Sequence, residues 1–267
     1  MIDLSDVTFL MPVRIDSAER LENFIIVVSY LIEKFETNIM ILEDDGHQNI
    51  SFDTPPRGIR YAFQKNEDPL FHKTRLINRL AGEAATSIIA LHDCDVLFPL
   101  NQYVQSAESI RNGSSDCCLA YDGRYYEIPA FFRTKVLRTL ATGDVNIQDC
   151  RLRNIRSVKG CVFCNKDSFF RGGMANENLK SWGYEDDYLL ERFDFEDTEL
   201  IERFRKLGFR VKGVGGGLFH LEHPGGVNHP FWEENYEEFR KILSMSRSDL
   251  EGYVETWKWA QDKAPIR

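Results

Sequence analysis

Four groups of residues in this chain have the types and spacing for chemistry. The first is Asp93-Cys94-Asp95, which ends the apolar run Ile88, Ile89, Ala90, Leu91. Two carboxylates one residue apart repel each other unless something positive lies between them, and a hard divalent cation with oxygen ligands removes that repulsion. An ion held there can hold a phosphate-bearing substrate in turn; the bland reading is a solvated turn after a strand. The second group is His220-Leu221-Glu222-His223. In a strand the two histidines face opposite sides, but if a turn begins at His220 both can reach one ion. The third is Glu185-Asp186-Asp187, directly before an apolar helical pattern of Leu189, Leu190 and Phe193. Acids at a helix N-terminus complement its dipole. Three in a row exceed what capping needs, and a carboxylate here can accept a proton from a substrate hydroxyl. The fourth is His72, Lys73 and Arg75 in a first helical turn, where cations oppose the dipole. A local anion would explain them; a solvated basic face is the alternative.

These groups need elements to position them. The continuous apolar run 88–91 suits a strand buried on both faces of a sheet, and ligands of open α/β sheets sit beyond the carboxyl ends of strands. Residues 7–11 read as a strand, and Asp16 with Glu19 three residues on reads as a capping box. Leu21, Phe24, Ile25, Val28, Leu31, Ile32 and Phe35 follow at helical spacing, then a strand over 38–42 that ends in Glu43-Asp44-Asp45. Strand, helix, strand predicts a right-handed parallel crossover. Residues 12–14 and 43–45 should therefore be neighbours. Further strands are predicted over 59–63, 116–121, 159–164 and 209–214, and helices over 71–85, 101–111, 129–140, 198–207 and 231–258. Residues 143–156 read as loop. Gly172, Gly173 and Gly183 read as flexible points around Trp182, a candidate lid residue, and Gly215-Gly216-Gly217 as a tight turn or close approach.

Composition bounds the function. The chain has 267 residues, 43% of them hydrophobic, enough to bury a sizeable core. A formal charge of −9 argues against nucleic acid as the main partner. It does not argue against a small phosphate ligand held by a metal and a few cations. The start is acidic and no secretory signal is visible. The longest apolar window near it, 24–32, is far short of the ~20 residues that a spanning helix needs. No transmembrane segment and a cytoplasmic location are the expectation. Cys94, Cys117, Cys118, Cys150, Cys161 and Cys164 lack zinc-site spacing and read as buried small hydrophobes.

Trp182-Gly183-Tyr184-Glu185-Asp186-Asp187, preceded by Gly172-Gly173-Met174 and Asn176-Glu177, resembles the signature of the galactosyltransferase C-terminal segment. That segment is found in beta-1,4-galactosyltransferases and in bacterial chondroitin-polymerase-type enzymes. Pro12-Val13-Arg14, the stretch from Phe71 through Asn78, Asp93-Cys94-Asp95 and His220 with His223 are similar to other parts of that family, in the family's order. The resemblance implies a GT-A fold, an α/β domain with a mostly parallel central sheet and helices on both faces. It implies one catalytic domain over 1–267, with a nucleotide-binding half (1–100), an acceptor and catalytic half (101–230) and a C-terminal helical segment (231–267). The implied activity is inverting, metal-dependent transfer of a hexose or N-acetylhexosamine from a UDP-sugar to an oligosaccharide or lipid-linked glycan, in bacterial surface polysaccharide synthesis.

By the same resemblance Asp95, His220 and His223 hold Mn²⁺ or Mg²⁺. The family places methionine where His220 stands. Pro12, Val13, Arg14, Asp44, Phe71, Lys73, Asp93, Cys94, Trp182 and Gly183 are the donor-binding candidates. Asp186 becomes the catalytic base and Glu185 its sugar-binding partner. Two rivals use other chemistry. A nucleotide-sugar hydrolase or pyrophosphorylase would need no acceptor, though a pyrophosphorylase would carry a glycine-rich phosphate loop that 11–17 lacks. A non-catalytic sugar-binding module could dispense with the Asp186 region altogether.

Overall fold

The computed structural model describes residues 1–52, 54–180, 195–224 and 231–261. The first half forms β1 (Ile2–Val13), α1 (Ala18–Lys34), β2 (Phe35–Asp45), β3 (Ile59–Lys65), α2 (Lys73–Glu83), β4 (Ile88–His92) and the two-residue β5 (Val96–Leu97). Then come α3 (Leu100–Arg111), β6 (Cys117–Leu119), β7 (Tyr125–Ile128), α4 (Arg133–Leu140), β8 (Arg151–Asn154), β9 (Cys161–Asn165) and α5 (Lys166–Arg171). The remainder is α6 (Phe195–Lys206), β10 (Val211–Gly213), β11 (Leu218–Leu221), α7 (Trp232–Ser244), α8 (Arg247–Glu255) and α9 (Lys258–Gln261).

Seven strands make the main sheet in the order β10-β6-β9-β4-β1-β2-β3. The pairings of β1 with β2 and β4, of β2 with β3 and of β6 with β10 are parallel. Strand β9 runs antiparallel between β4 and β6, so the sheet is mixed. Residues 7–13 of β1 and all of β4 are buried without alternation, the pattern of strands covered on both faces. The expected crossover is present: α1 joins β1 to β2, and Val13 pairs with Glu43. The cap differs from the sequence reading. Ser17, not Asp16, is the N-cap and accepts from the Arg20 N–H, which frees Asp16 to bind the Arg20 side chain.

A second sheet, β5-β11-β7-β8, was not legible beforehand. Strand β11 lies antiparallel to β5 and parallel to β7, and β8 lies where a loop is predicted. Gly172 and Gly173, read as flexible points, are packing points; Gly183 lies outside the described residues. A Cβ on Gly172 would lie 2.4 Å from the Phe204 ring, and one on Gly173 2.5 Å from Val254. A Cβ on Gly217 would strike the Tyr126 ring at 2.7 Å, so the close approach here is to β7. Five of the six cysteines are buried and all are free thiols. No helix of the described residues is long and apolar enough to cross a membrane.

Candidate active site

The central cluster is assembled by the shortest strand. Strand β5 starts directly after Asp95, and β11 pairs with it so that His220 lies opposite Val96. The Leu221 N–H donates to the Asp95 carbonyl at 2.8 Å, which ends β11 against the Asp95 corner. The chain then leaves strand geometry, and His223 comes round to the side that His220 faces. His223 Nε2 lies 3.1 Å from Asp95 Oδ2 and 3.2 Å from His220 Nε2, and His220 Nε2 lies 3.8 Å from the same oxygen. Among the described residues this is a group of three ligand-bearing side chains whose donor atoms converge.

The donor chemistry fits a divalent ion. His223 Nδ1 lies 2.7 Å from the Pro224 carbonyl, an acceptor only, so Nδ1 carries the proton and Nε2 presents its lone pair to the cluster. Burial pushes His220 down to about 3, which keeps it neutral and able to ligate. Burial also works against charge on Asp95, but His220, His223 and Arg20 around it outweigh that and hold its carboxyl well below the usual range. For His223 burial is likewise opposed, and the bond to Asp95 leaves its net shift upward. The three ligand atoms, 3.1, 3.2 and 3.8 Å apart, define a circle of radius about 2 Å, the length of a metal–imidazole bond. A divalent cation would meet a carboxylate oxygen and two imidazole nitrogens there.

The cluster borders an open cavity of about 520 Å³ lined by Pro12, Val13, Arg14, Asp16, Arg20, Phe71, Lys73, Asp93, Cys94 and Asp95. Seven of the ten donor-binding candidates therefore share one wall. Arg14 is held rigidly: it donates to the carbonyls of Asp44, Asp68 and Pro69 and to the Asp44 carboxylate, and it lies over the Phe71 ring at 5.4 Å. Asp44 stands behind this wall, not in it. It is 1% exposed, and its oxygens accept from Arg14, Gln64 and Asn66, which satisfies the carboxylate within the protein. Burial pushes the Cys94 thiol up, so it lines the cavity as a neutral group.

The anion expected at the cationic first turn of α2 is supplied by the protein. Lys73 Nζ lies 2.9 Å from Asp93, 3.5 Å from Asp197 and 3.7 Å from Glu196. Burial opposes its charge, but these three carboxylates outweigh it and raise Lys73 well above the ordinary lysine value. His72 pairs with Asp68 and Arg75 with Glu177. A second opening, of about 450 Å³, continues from Asp93 and Asp95 past His220 and His223 to Glu196, Asp197, Tyr125 and Lys159.

Glu185, Asp186, Trp182 and Gly183, with the helical pattern 189–193, lie outside the described residues. Sequence reasoning missed Arg20, Glu196 and Asp197. The last two are buried acids in the first turn of α6, the same signal that drew attention to 185–187.

No family model and no curated protein matches the sequence. Solved structures do match in fold. The catalytic domain of Drosophila β1,4-galactosyltransferase 7, in complex with xylobiose, is 16% identical over 93% of this chain and 84% of that one, with a TM-score of 0.52. GalNAc-T7, in complex with UDP, GalNAc and Mn²⁺, is 10% identical over 93% of this chain and 50% of that one, with a TM-score of 0.57. The chain has the GT-A fold. In that fold the described metal-type cluster and the two joined openings lie beyond the carboxyl ends of β1 and β4, where an open α/β sheet binds its ligands.

Proposed function

We propose that the protein is a metal-dependent glycosyltransferase that moves a hexose or N-acetylhexosamine from a UDP-sugar to a hydroxyl of an oligosaccharide or lipid-linked glycan, with inversion, in bacterial surface polysaccharide synthesis. The observation that carries the reading is the convergence of Asp95, His220 and His223 at the border between the two openings. Its support from fold is that GalNAc-T7, with the same architecture, was solved with UDP, GalNAc and Mn²⁺.

In this reading the wall of Pro12, Val13, Arg14 and Phe71 receives the uridine. Arg14 stiffens that wall from behind, since its donors are already engaged by backbone carbonyls and Asp44. Asp95, His220 and His223 would hold a divalent ion, which would supply Lewis-acid stabilisation of the charge on departing UDP. Asp93, oriented by Lys73, faces ribose or sugar. The acceptor oxygen attacks the anomeric carbon as the bond to the β-phosphate oxygen breaks, and the acceptor proton passes to a carboxylate. Asp186 is the sequence candidate for that base. Among the described residues Asp197 is the alternative: it opens on the second cavity, which His220 and His223 also line, with Glu196 beside it.

A thermal-shift panel of nucleotide-sugars with and without Mn²⁺ tests the donor class. Stabilisation by UDP-sugars only when Mn²⁺ is present is expected. Stabilisation without metal, or by no nucleotide, would overturn the reading, and release of UDP at an undiminished rate without acceptor would make the protein a hydrolase.

A further inference from the structure

Arg20 occupies an unusual place for a cation. It stands in the first turn of α1, where the helix dipole disfavours positive charge, and it is 7% exposed. Its Nε donates to Asp16 Oδ1 at 2.7 Å and its Nη1 to Asp95 Oδ2 at 3.0 Å; Nη2 lies 3.4 Å from His223 Nδ1. One turn further on, Asn23 donates to the Leu221 carbonyl at 2.9 Å, at the end of β11. The inner face of α1 therefore grips both arms of the ligand cluster, the Asp95 corner through Arg20 and the β11 exit through Asn23.

The oxygen that Arg20 holds is the one that faces both histidines. A guanidinium does not lose its proton in a protein, so any cation entering the cluster shares Asp95 Oδ2 with a permanent positive charge. Arg20 also lines the cavity that Pro12, Val13, Arg14 and Phe71 wall. A diphosphate there brings negative charge against Arg20 and against the ion at once. We propose that Arg20 makes cation binding conditional on the diphosphate: it weakens the cluster for a bare divalent ion and strengthens it once a nucleotide diphosphate occupies the adjoining cavity. The inference rests on the reading of Asp95, His220 and His223 as a cation site. By linkage, UDP must raise Mn²⁺ affinity by the same factor as Mn²⁺ raises UDP affinity. Asp16, on the far side of the guanidinium, offsets part of its charge, which puts the effect nearer tens than thousands of fold.

The experiment is Mn²⁺ titration of the purified protein, read as free Mn²⁺ by electron paramagnetic resonance, with and without saturating UDP. Wild type is compared with Arg20→Gln, which keeps a donor for Asp95 without the charge, and with Arg20→Lys, which keeps the charge. The Gln variant is expected to bind Mn²⁺ alone at least about tenfold more tightly and to lose a similar factor of UDP enhancement, while the Lys variant keeps the enhancement. Equal or weaker Mn²⁺ binding by a folded Gln variant that retains the enhancement would reduce Arg20 to a structural clip and overturn the inference. Wild type that takes up no Mn²⁺ in either condition would instead overturn the cation site itself.

Discussion

His223 Nε2 lies 3.1 Å from Asp95 Oδ2 across 128 residues of chain. Nothing local brings them together; the contact depends on β11 pairing with β5 and on the departure from strand geometry after Leu221. Such a distance between a carboxylate and a neutral imidazole lone pair is stable only with a proton or an ion between. His223→Ala and Asp95→Ala are therefore expected to weaken Mn²⁺ binding by more than the ~10–100-fold that loss of an outer-shell partner costs. Transfer activity should fall in step and be abolished by EDTA in the wild type. Full activity in EDTA would remove the metal from the mechanism.

How much of this was readable beforehand follows from signal strength. Strand β4 and the β1-α1-β2 unit announce themselves through apolar runs and a helical stripe, so the position of Asp95 and the meeting of Arg14 with Asp44 follow from the sequence. Strand β5 has two residues and no period. Strand β8, Arg151–Asn154, has no buried side chain and is held by Arg151 and Arg153 on Glu127, so no hydrophobic pattern marks it. Without that sheet the two histidines could be paired only by supposing a turn. The antiparallel course of β9 is equally invisible, because Cys161-Val162-Phe163-Cys164 reads the same in either direction. Arg20 was hidden by its position among the polar residues of an amphipathic helix, and Glu196-Asp197 by the longer acidic run upstream.

Lys73 offers a stability test. Its ammonium is nearly enclosed and serves Asp93, Glu196 and Asp197 together. Lys73→Met leaves these carboxylates facing one another without it, and breaking a buried ion pair on one side typically costs about 3–5 kcal/mol. Urea unfolding should show a loss of that order. Adding Asp197→Asn to the Met variant should recover part of it, a coupling that a double-mutant cycle reads directly. Additive losses would mean that Lys73 and Asp197 do not act as a pair.

Stability should also report a buried histidine. Burial pushes His92 down to about 4, and its ring is enclosed by the Asp93 carbonyl and the Tyr103 hydroxyl. In the unfolded chain a histidine titrates near 6.5. Between that value and 4 the unfolded state takes up a proton that the native state refuses, so stability falls as pH falls. One such group contributes a slope of about 1.4 kcal/mol per pH unit. Unfolding free energies in EDTA across this window should decline less steeply for His92→Phe than for wild type, by that one proton. Parallel slopes would show that His92 is protonated in the native state.

The proton acceptor for the sugar transfer can be located by comparing two substitutions. Asp197 lies in the first turn of α6, buried, 3.5 Å from Lys73 Nζ and on the opening shared with His220 and His223. A positioned base contributes about 10²–10⁴ to rate, whereas a group that only orders the site changes substrate affinity as well. Asp186→Asn is therefore expected to lower kcat by that factor with UDP and Mn²⁺ affinity nearly unchanged, and Asp197→Asn, which also loosens Lys73, to change substrate affinity as well. The reverse pattern would move the role to Asp197. Equal loss in both variants, with UDP binding lost as well, would mean that neither carboxylate is the base. The comparison is informative because the asparagine keeps the size of the side chain and an acceptor oxygen, and removes only the ability to take the proton.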